Sequence, residues 1–589
     1  MKCSSFIIFS FLQLCIAAMP LTAAAQTMAP AFKGVSNNNP ISANVFCADP
    51  TALEYNGRLY VYGSNDHQEF IVRGKSSENT YGEIKSIVVF STDDMVNWTF
   101  HGTIDTKKLC SGWPGGWPIK GYGVSWAPSV TWRTNAEGVD EFFLYFCNNV
   151  HGIGVLTASS PLGPWKSPNK ELMIHSETAG ARPSSAIFDP GVVIDDNGVG
   201  WLAIGGLDPV SELGGTGFDP KNARVYKLKP NMTAVDGLPT MIQAPYHFEA
   251  NELNVIGGKF VYTYCSNWSD RNQTAAEWNA YKTEHGLSMS RPDACLMCYM
   301  VSDDPTNPNS WEYKGYYGPH PGMGTINNHS HLQKFQGEYY HIYHGEPLRE
   351  SWQNAGVIGS SCNKYRSICV NKATVDESSA TVNRVTTDLK GVTQIKHVNP
   401  YEWQQAETMA SCGGVEYEDF TNIKKNGRVS NLGNDASENM QVKMNAGSWI
   451  NVRGIDYGST GAGKFTLRAK GTGTVEIRSG NSPRTTAATI EFSSTDFEDQ
   501  TIDLPAGKLV GVKNNLYLVV TAATDFYVDA WQFTEAGSTG ISEFESCQPV
   551  QRQHYDISGR RLSDTRSQRG IVIEQYTDEN GVKHSRKMF

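Results

Sequence analysis

One spacing recurs through the first two thirds of the chain and limits what it can fold into. A polar or aromatic residue opens an apolar stretch, a glycine-bearing turn follows, and an aromatic-rich stretch leaves the turn. "DPTALEYNGRLYVYGSND" opens on Asp49, "FDPGVVIDDNGVGWLAIGG" carries Asp189, "FEANELNVIGGKFVYTY" carries Glu249 and "NNHSHLQKFQGEYYHIYHG" carries His329. In all four, that residue precedes the turn glycine by eight or nine positions. A fifth copy, "WAPSVTWRTNAEGVDEFFLYFCN", starts at Trp126 and has a longer turn. Short apolar runs on either side of a glycine turn are the pattern of a β-hairpin.

Between these hairpins lie further strand-like stretches with a common cadence, such as "SIVVFSTDDMVNWTFHG" and "GIGVLTASSPLGPWKSP". Each unit is therefore about four strands long, and the units start 60–80 residues apart. Four-stranded units repeated in series predict a β-propeller, here with five blades over residues 26–395. No regular amphipathic helical pattern separates the strands, which disfavours a parallel α/β fold. The chain is expected to be all-β.

In such a fold the first strand of each blade lines a central channel. Asp49, Trp126, Asp189, Glu249 and His329 should then converge on one mouth, with Glu252 pointing away from Glu249 or lying deeper. Three acids in one pocket raise one another's pKa, an arrangement that chemistry or a bound cation justifies. A glycosidase needs one carboxylic acid to protonate the leaving oxygen and one carboxylate to attack or to activate water. A third carboxylate nearby can keep the acid protonated at neutral pH. The readings without catalysis are a calcium-binding hub and a propeller that binds glycan without cleaving it.

The rest of the chain narrows the setting. A formal net charge of -10 and a pI near 5.8 argue against nucleic-acid or anionic-membrane partners. Residues 1–25 have a lysine, an apolar core and a small-residue end, the pattern of a secretory signal. No later apolar run approaches the ~20 residues of a membrane span. The expected location is secreted, periplasmic or cell-surface. Cys295 and Cys298 form a CxxC with no second ligand pair at zinc-site spacing, so they read as structural thiols. Residues 396–536 alternate apolar and polar in short runs, predicting a β-sandwich. The polar tail, 537–589, shows one short strand at 570–575.

The stretches "ADPTALEYNGRLYVYGSND", "FFLYFCNNVHGIGVLTASSPLGPW", "FDPGVVIDDNG", "ARVYKLKPNMTAVDG", "APYHFEANEL" and "KYRSICVNKATV" together resemble glycoside hydrolase family 43, in that family's order. The likeness runs to its arabinoxylan arabinofuranohydrolases. It implies an inverting hydrolase that removes α-L-arabinofuranosyl groups from plant cell-wall polysaccharide or oligosaccharide. β-Xylosidase or arabinan-directed activity is the alternative within the family. By motif, Asp49 matches the general base, Glu249 the general acid and Asp189 the acid that tunes its pKa. Trp126 and Arg366 match sugar-pocket positions, and His329 matches a histidine that can meet a channel cation through water. No cofactor is implied for the chemistry, and the protein is expected to be a monomer. The segment after the propeller resembles a family 6 carbohydrate-binding module, in which Glu407 and Asp529 match ligands of a structural calcium. Lys443 stands where many relatives carry a sugar platform and Tyr527 where they carry an asparagine, so sugar binding and a purely structural role both stay open.

Overall fold

A computed structural model describes residues 28–114, 123–267, 274–320, 327–417, 440–480 and 485–537, with the backbone of four strands between 551 and 588. The signal-like segment 1–25 lies outside the described residues.

Five antiparallel sheets follow one another along the chain, each a simple meander. The first holds β1 (Ala48–Tyr55), β2 (Arg58–Ser64), β3 (Ile87–Thr92) and β4 (Trp98–Ile104). The second holds β5 (Trp126–Thr134), β6 (Asp140–Cys147) and β7 (Ile153–Ala158). The third is β8 (Gly191–Ile194), β9 (Gly200–Ile204), β10 (Arg224–Lys227) and β11 (Thr240–Met241). The fourth is β12 (His247–Ile256), β13 (Lys259–Ser266), β14 (Met297–Ser302) and β15 (Glu312–Gly318). The fifth is β16 (Ser330–Phe335), β17 (Glu338–Gly345) and β18 (Ser367–Ala373).

The repeated spacing is a turn requirement. Asn56 and Gly57 join β1 to β2 with both φ angles positive, 51° and 72°. Gly257–Gly258 and Gln336–Gly337 do the same for β12–β13 and β16–β17. Two positive φ angles define the turn whose twist matches that of the flanking strands, and glycine enters it without a Cβ penalty.

The five first strands form a closed circuit: β1 packs on β5, β5 on β8, β8 on β12, β12 on β16, and β16 on β1. The last sheet is also tied to the start of the chain. Asn39 donates to the Val370 carbonyl at 3.1 Å and accepts from its N–H at 2.8 Å, while the Ile41 N–H bonds the Ile368 carbonyl at 2.8 Å.

A hairpin of β19 (Val375–Asp376) and β20 (Thr381–Val382) follows. Then come β21 (Gln404–Gln405), β22 (Thr408–Met409), β23 (Ser411–Tyr417), β24 (Val442–Asp456), β25 (Ala462–Ser479), β26 (Thr486–Asp503) and β27 (Val512–Glu535). The strands β23-β24-β27-β25-β26 pair in that order, with β21 on β27. β22 instead adds a fifth strand to the first sheet, Thr408 facing Thr99 and Met409 facing Trp98 on β4. Trp98, Phe100 and Val61 share one buried core with Met409, Cys412, Ile450 and Trp531. The tail carries four strands where its sequence pattern suggested one; they pair as a separate small sheet, with Val572–Thr577 at its centre.

Because that core is common to both parts, they should melt together. Trp98→Ala should cost about 3–5 kcal/mol, as for other large buried aromatic truncations. Calorimetry checks this: one shared transition moves down, whereas two transitions of which only one moves would contradict the shared core.

Candidate active site

The circuit of first strands carries a backbone kink at its head. Asp49, Ala127, Asp189 and Ala250 all sit in the left-handed region, with φ of 48°, 41°, 48° and 62°. The register of β1, β5 and β12 slips at the same place. Left-handed backbone costs an L-residue roughly 1–2 kcal/mol, so four such residues at equivalent positions mark a site that uses the strain. The kink turns the strand heads inward. It also corrects the alignment read from sequence: Trp126 and Glu249 stand one position before the left-handed residue, whereas Asp49 and Asp189 occupy it. Spacing to the turn glycine counts the residues of a bulge but does not locate it.

Asp49, Asp189, Glu249, Trp126, His329 and Arg366 line one cavity of about 190 Å³, together with Tyr81, Val150, Phe188, Leu207 and Asn327. A cavity on this scale suits a small group such as one sugar ring. Glu252 lies deeper, fully buried, with Oε1 3.3 Å from His331 Nδ1.

The acids are buried alike but partnered differently. Asp49 Oδ1 accepts from Arg366 Nη1 at 2.7 Å and Oδ2 accepts from the Ser64 hydroxyl at 2.6 Å. His344 Nδ1 accepts the Asp49 N–H at 3.0 Å and so holds the kinked backbone, while its Nε2 faces Asn327 Oδ1 at 3.2 Å. Burial alone would push Asp49 up, but Arg366, His344, His329 and Ser64 draw it down to about 2. The cost of burial is therefore overridden at Asp49, chiefly by the guanidinium. At Asp189 burial wins: burial and then the Asp49 charge raise its pKa to about 7, against the opposing Ala250 N–H at 2.9 Å. That N–H belongs to the residue after Glu249, so Asp189 grips the backbone that carries it. Asn251 Nδ2 donates to the Asp189 carbonyl at 2.9 Å on the same strand. Burial draws His329 down to about 4, leaving it neutral at pH 7.

Four contributors escaped the sequence pattern: Ser64, Asp66, Tyr81 and His344. Ser64 and Asp66 stand in "GSND" at the end of β2, and His344 stands at the corresponding end of β17 in "HIYHG". Polar residues at the inner end of an otherwise apolar strand were the available signal.

In the second part of the chain Glu407 is buried, with Oε2 lacking a hydrogen-bond partner among the described residues. Burial raises its pKa and the Asp529 charge adds to it. Arg468 Nε lies 3.4 Å from Asp529 Oδ2. Oxygen donors of this kind suit calcium, so the pair fits the ion, with Arg468 as a competing cation. Among the described residues no group of three His, Cys, Asp or Glu side chains could hold a metal. In the channel, His329 Nε2 is buried and has no hydrogen-bond partner among the described residues.

A sugar-sized pocket with an ionised carboxylate and further acids under different electrostatic control defines a glycoside hydrolase. The model of glycosyl hydrolases family 43 matches residues 37–377, and the chain belongs to that family, whose fold is a β-propeller. A carbohydrate-binding module of family 6 matches residues 405–535. Similar proteins include the arabinoxylan arabinofuranohydrolase of Paenibacillus polymyxa, 32% identical over 92% of this chain and 82% of the relative. The enzyme of that name from Bacillus subtilis is 34% identical over 87% of this chain and 96% of the relative. A crystal structure of a family 43 arabinoxylan arabinofuranohydrolase from B. subtilis, in complex with cellotetraose, superposes with a TM-score of 0.71, at 32% identity and covering 87% of this chain and 99% of that one.

The raised pKa of Asp189 has a stability consequence. Unfolded, an aspartate ionises near 3.9; folded, Asp189 holds its proton to about 7. Its contribution is fully present below the unfolded value and is lost as pH rises to about 7, at about 1.4 kcal/mol per pKa unit. Asp189→Asn should thus melt progressively higher than the parent between pH 4 and 7, with the gap levelling above. A gap that stays flat across this range in thermal scans would contradict the assignment.

Proposed function

We propose that this protein removes α-L-arabinofuranosyl side groups from arabinoxylan or a related plant-wall polysaccharide, with inversion. The observation that carries the reading is the contrast between Asp49, held ionised by Arg366, and Asp189, kept protonated to about 7 beside the strand of Glu249. Asp49 is the general base: it takes the proton of a water attacking the anomeric carbon. Glu249 is the general acid and protonates the leaving xylose oxygen. Asp189 holds the strand of Glu249 through the Ala250 N–H and tunes the Glu249 pKa once it ionises itself, near 7. Trp126, His329 and Arg366 bind the sugar.

The substrate follows the names of the two relatives that match nearly the whole chain. β-Xylosidase activity is the second reading, since arabinofuranose and xylopyranose offer similar hydroxyls to one pocket. The closed circuit of first strands supports a five-bladed propeller over residues 26–395. The long strands β24 to β27 support a β-sandwich over 396–536, with residues 537–589 as an appended tail. The signal-like residues 1–25 support export, to the cell surface, periplasm or medium, and the exported protein is proposed to be a monomer. A calcium in the channel would be held through water by His329.

Asp49→Ala and Glu249→Ala should each lower turnover of an aryl arabinofuranoside about 10²–10⁴-fold, the usual worth of a general acid or base. Glu249→Ala should lose least with the best leaving group, which needs little protonation. An aryl-glycoside panel, followed by sugar release from arabinoxylan and arabinan, tests the substrate. Faster cleavage of xylopyranosides would favour the second reading, and no cleavage at all would leave a glycan-binding propeller.

Glu407 and Asp529 are the proposed calcium ligands of the sandwich. Calcium should raise the melting temperature of the parent, and a chelator should reverse the gain. Glu407→Gln should respond to neither; an equal calcium shift in that variant would move the ion elsewhere.

A further inference from the structure

Arg366 is buried, and only one arm of its guanidinium is given to Asp49. The opposite edge is taken by Asp66. Arg366 Nε donates to Asp66 Oδ2 at 3.0 Å and Nη2 to Oδ1 at 2.9 Å, while the Arg366 main-chain N–H reaches Oδ2 at 3.0 Å. Asp66 is completely buried and does not line the cavity. It is the first residue of a short helix, Asp66–Arg73, whose cap is supplied by Asn65 accepting from the Gln68 N–H at 3.0 Å. The helix start therefore does not need Asp66 as its cap.

The face of the same guanidinium is covered by the Tyr81 ring, 4.8 Å away. Tyr81 has a left-handed φ of 63°, a strained conformation for so bulky a residue, and its carbonyl accepts from the Trp126 indole at 2.9 Å. Its loop is held from below by the buried Glu69 carboxylate, which accepts from the Thr80 N–H at 3.0 Å and the Thr80 hydroxyl at 2.8 Å. Arg366 is thus fixed on one edge and one face.

A guanidinium is a rigid planar fork, and gripping one edge with a carboxylate aims the other. Two buried carboxylates around one cation leave a net negative charge, which is a costly way to build a core. We infer that Asp66 is a positioning residue for the reaction: acting through Arg366, it aims the free guanidinium edge at Asp49 and at the bound sugar. The inference rests on the reading of Asp49 as the base. It predicts that Asp66 matters for turnover only while a guanidinium occupies its place.

The test compares Asp66→Asn, Arg366→Ala and the double variant, with kcat and KM measured separately on an aryl arabinofuranoside. Asp66→Asn is isosteric and should lower kcat by about 10²-fold, the scale of a small misplacement of a reacting group, with KM moving less. In the Arg366→Ala background the same change should add less than about threefold, since the two act as one unit. Millimolar guanidinium ion should restore part of the activity of Arg366→Ala but not of the double variant, which lacks the carboxylate that docks it. A protein in which Asp66 merely supports the fold would lose thermal stability yet show equal guanidinium rescue in both variants. Equal rescue, multiplying losses, or a normal kcat in Asp66→Asn would each overturn the inference. Full activity in Arg366→Ala would instead bring down the reading of the site itself, and Asp66 with it. Should Asp66→Asn not fold, Asp66→Ser carries the same comparison.

Discussion

The contact between Arg366 and Asp49 is where the structure is held together chemically. Arg366 stands at the head of the last strand of the fifth sheet and Asp49 at the head of the first strand of the first sheet, more than 300 residues away. Their charge-assisted bond crosses the junction where the circuit of sheets closes. The Cys47 N–H, bonded to the Arg366 carbonyl at 3.0 Å, crosses the same junction. Closure of the fold and the pairing of Asp49 with its cation are consequently one event. A chain that failed to bring its ends together would keep neither the ring nor the guanidinium beside that carboxylate.

Around that contact the protein separates acids that are chemically alike. Asp49 and Asp189 are both buried, both left-handed and both followed by proline. One faces a guanidinium, a hydroxyl and two imidazoles; the other faces a thiol and a backbone N–H. Desolvation raises both, and only the first has enough positive charge nearby to reverse it. Two aspartates with the same φ of 48° thus ionise in different pH ranges, because the difference lies in what the neighbouring sheets present. The strain of the left-handed heads and the protonated Asp189 are borne by the large cores beneath them.

Much of this was legible in advance. The turn glycines at 57, 198, 258 and 337 set the hairpins, and Asp49, Trp126, Asp189, Glu249 and His329 reached one cavity as the repeat required. The bulge was not legible, since an extra residue in a strand leaves no mark in alternation when the flanking positions are all buried. Nor were Ser64, Asp66 and His344: each lies on an outgoing strand or just past it, and only the pairing of β2 and β17 with the first strands brings them to Asp49. The recruitment of β22 into the first sheet also escaped the pattern, because two residues carry too little periodicity to betray their partner.

That recruitment has a consequence for how the enzyme meets a polysaccharide. A binding module on a loose linker gives its catalytic partner a search radius, and the gain in local concentration is spread over every position within reach. Here Thr408 and Met409 are stitched to β4, Arg453 bonds Asn97 through its main-chain N–H, and Trp98 lies in a core that both parts share. These contacts tie the two halves to each other. A polysaccharide lying across both would be sampled at a single bearing and a single distance, like a tape passing a fixed read head, so that side groups are met according to their spacing along the polymer rather than their abundance nearby.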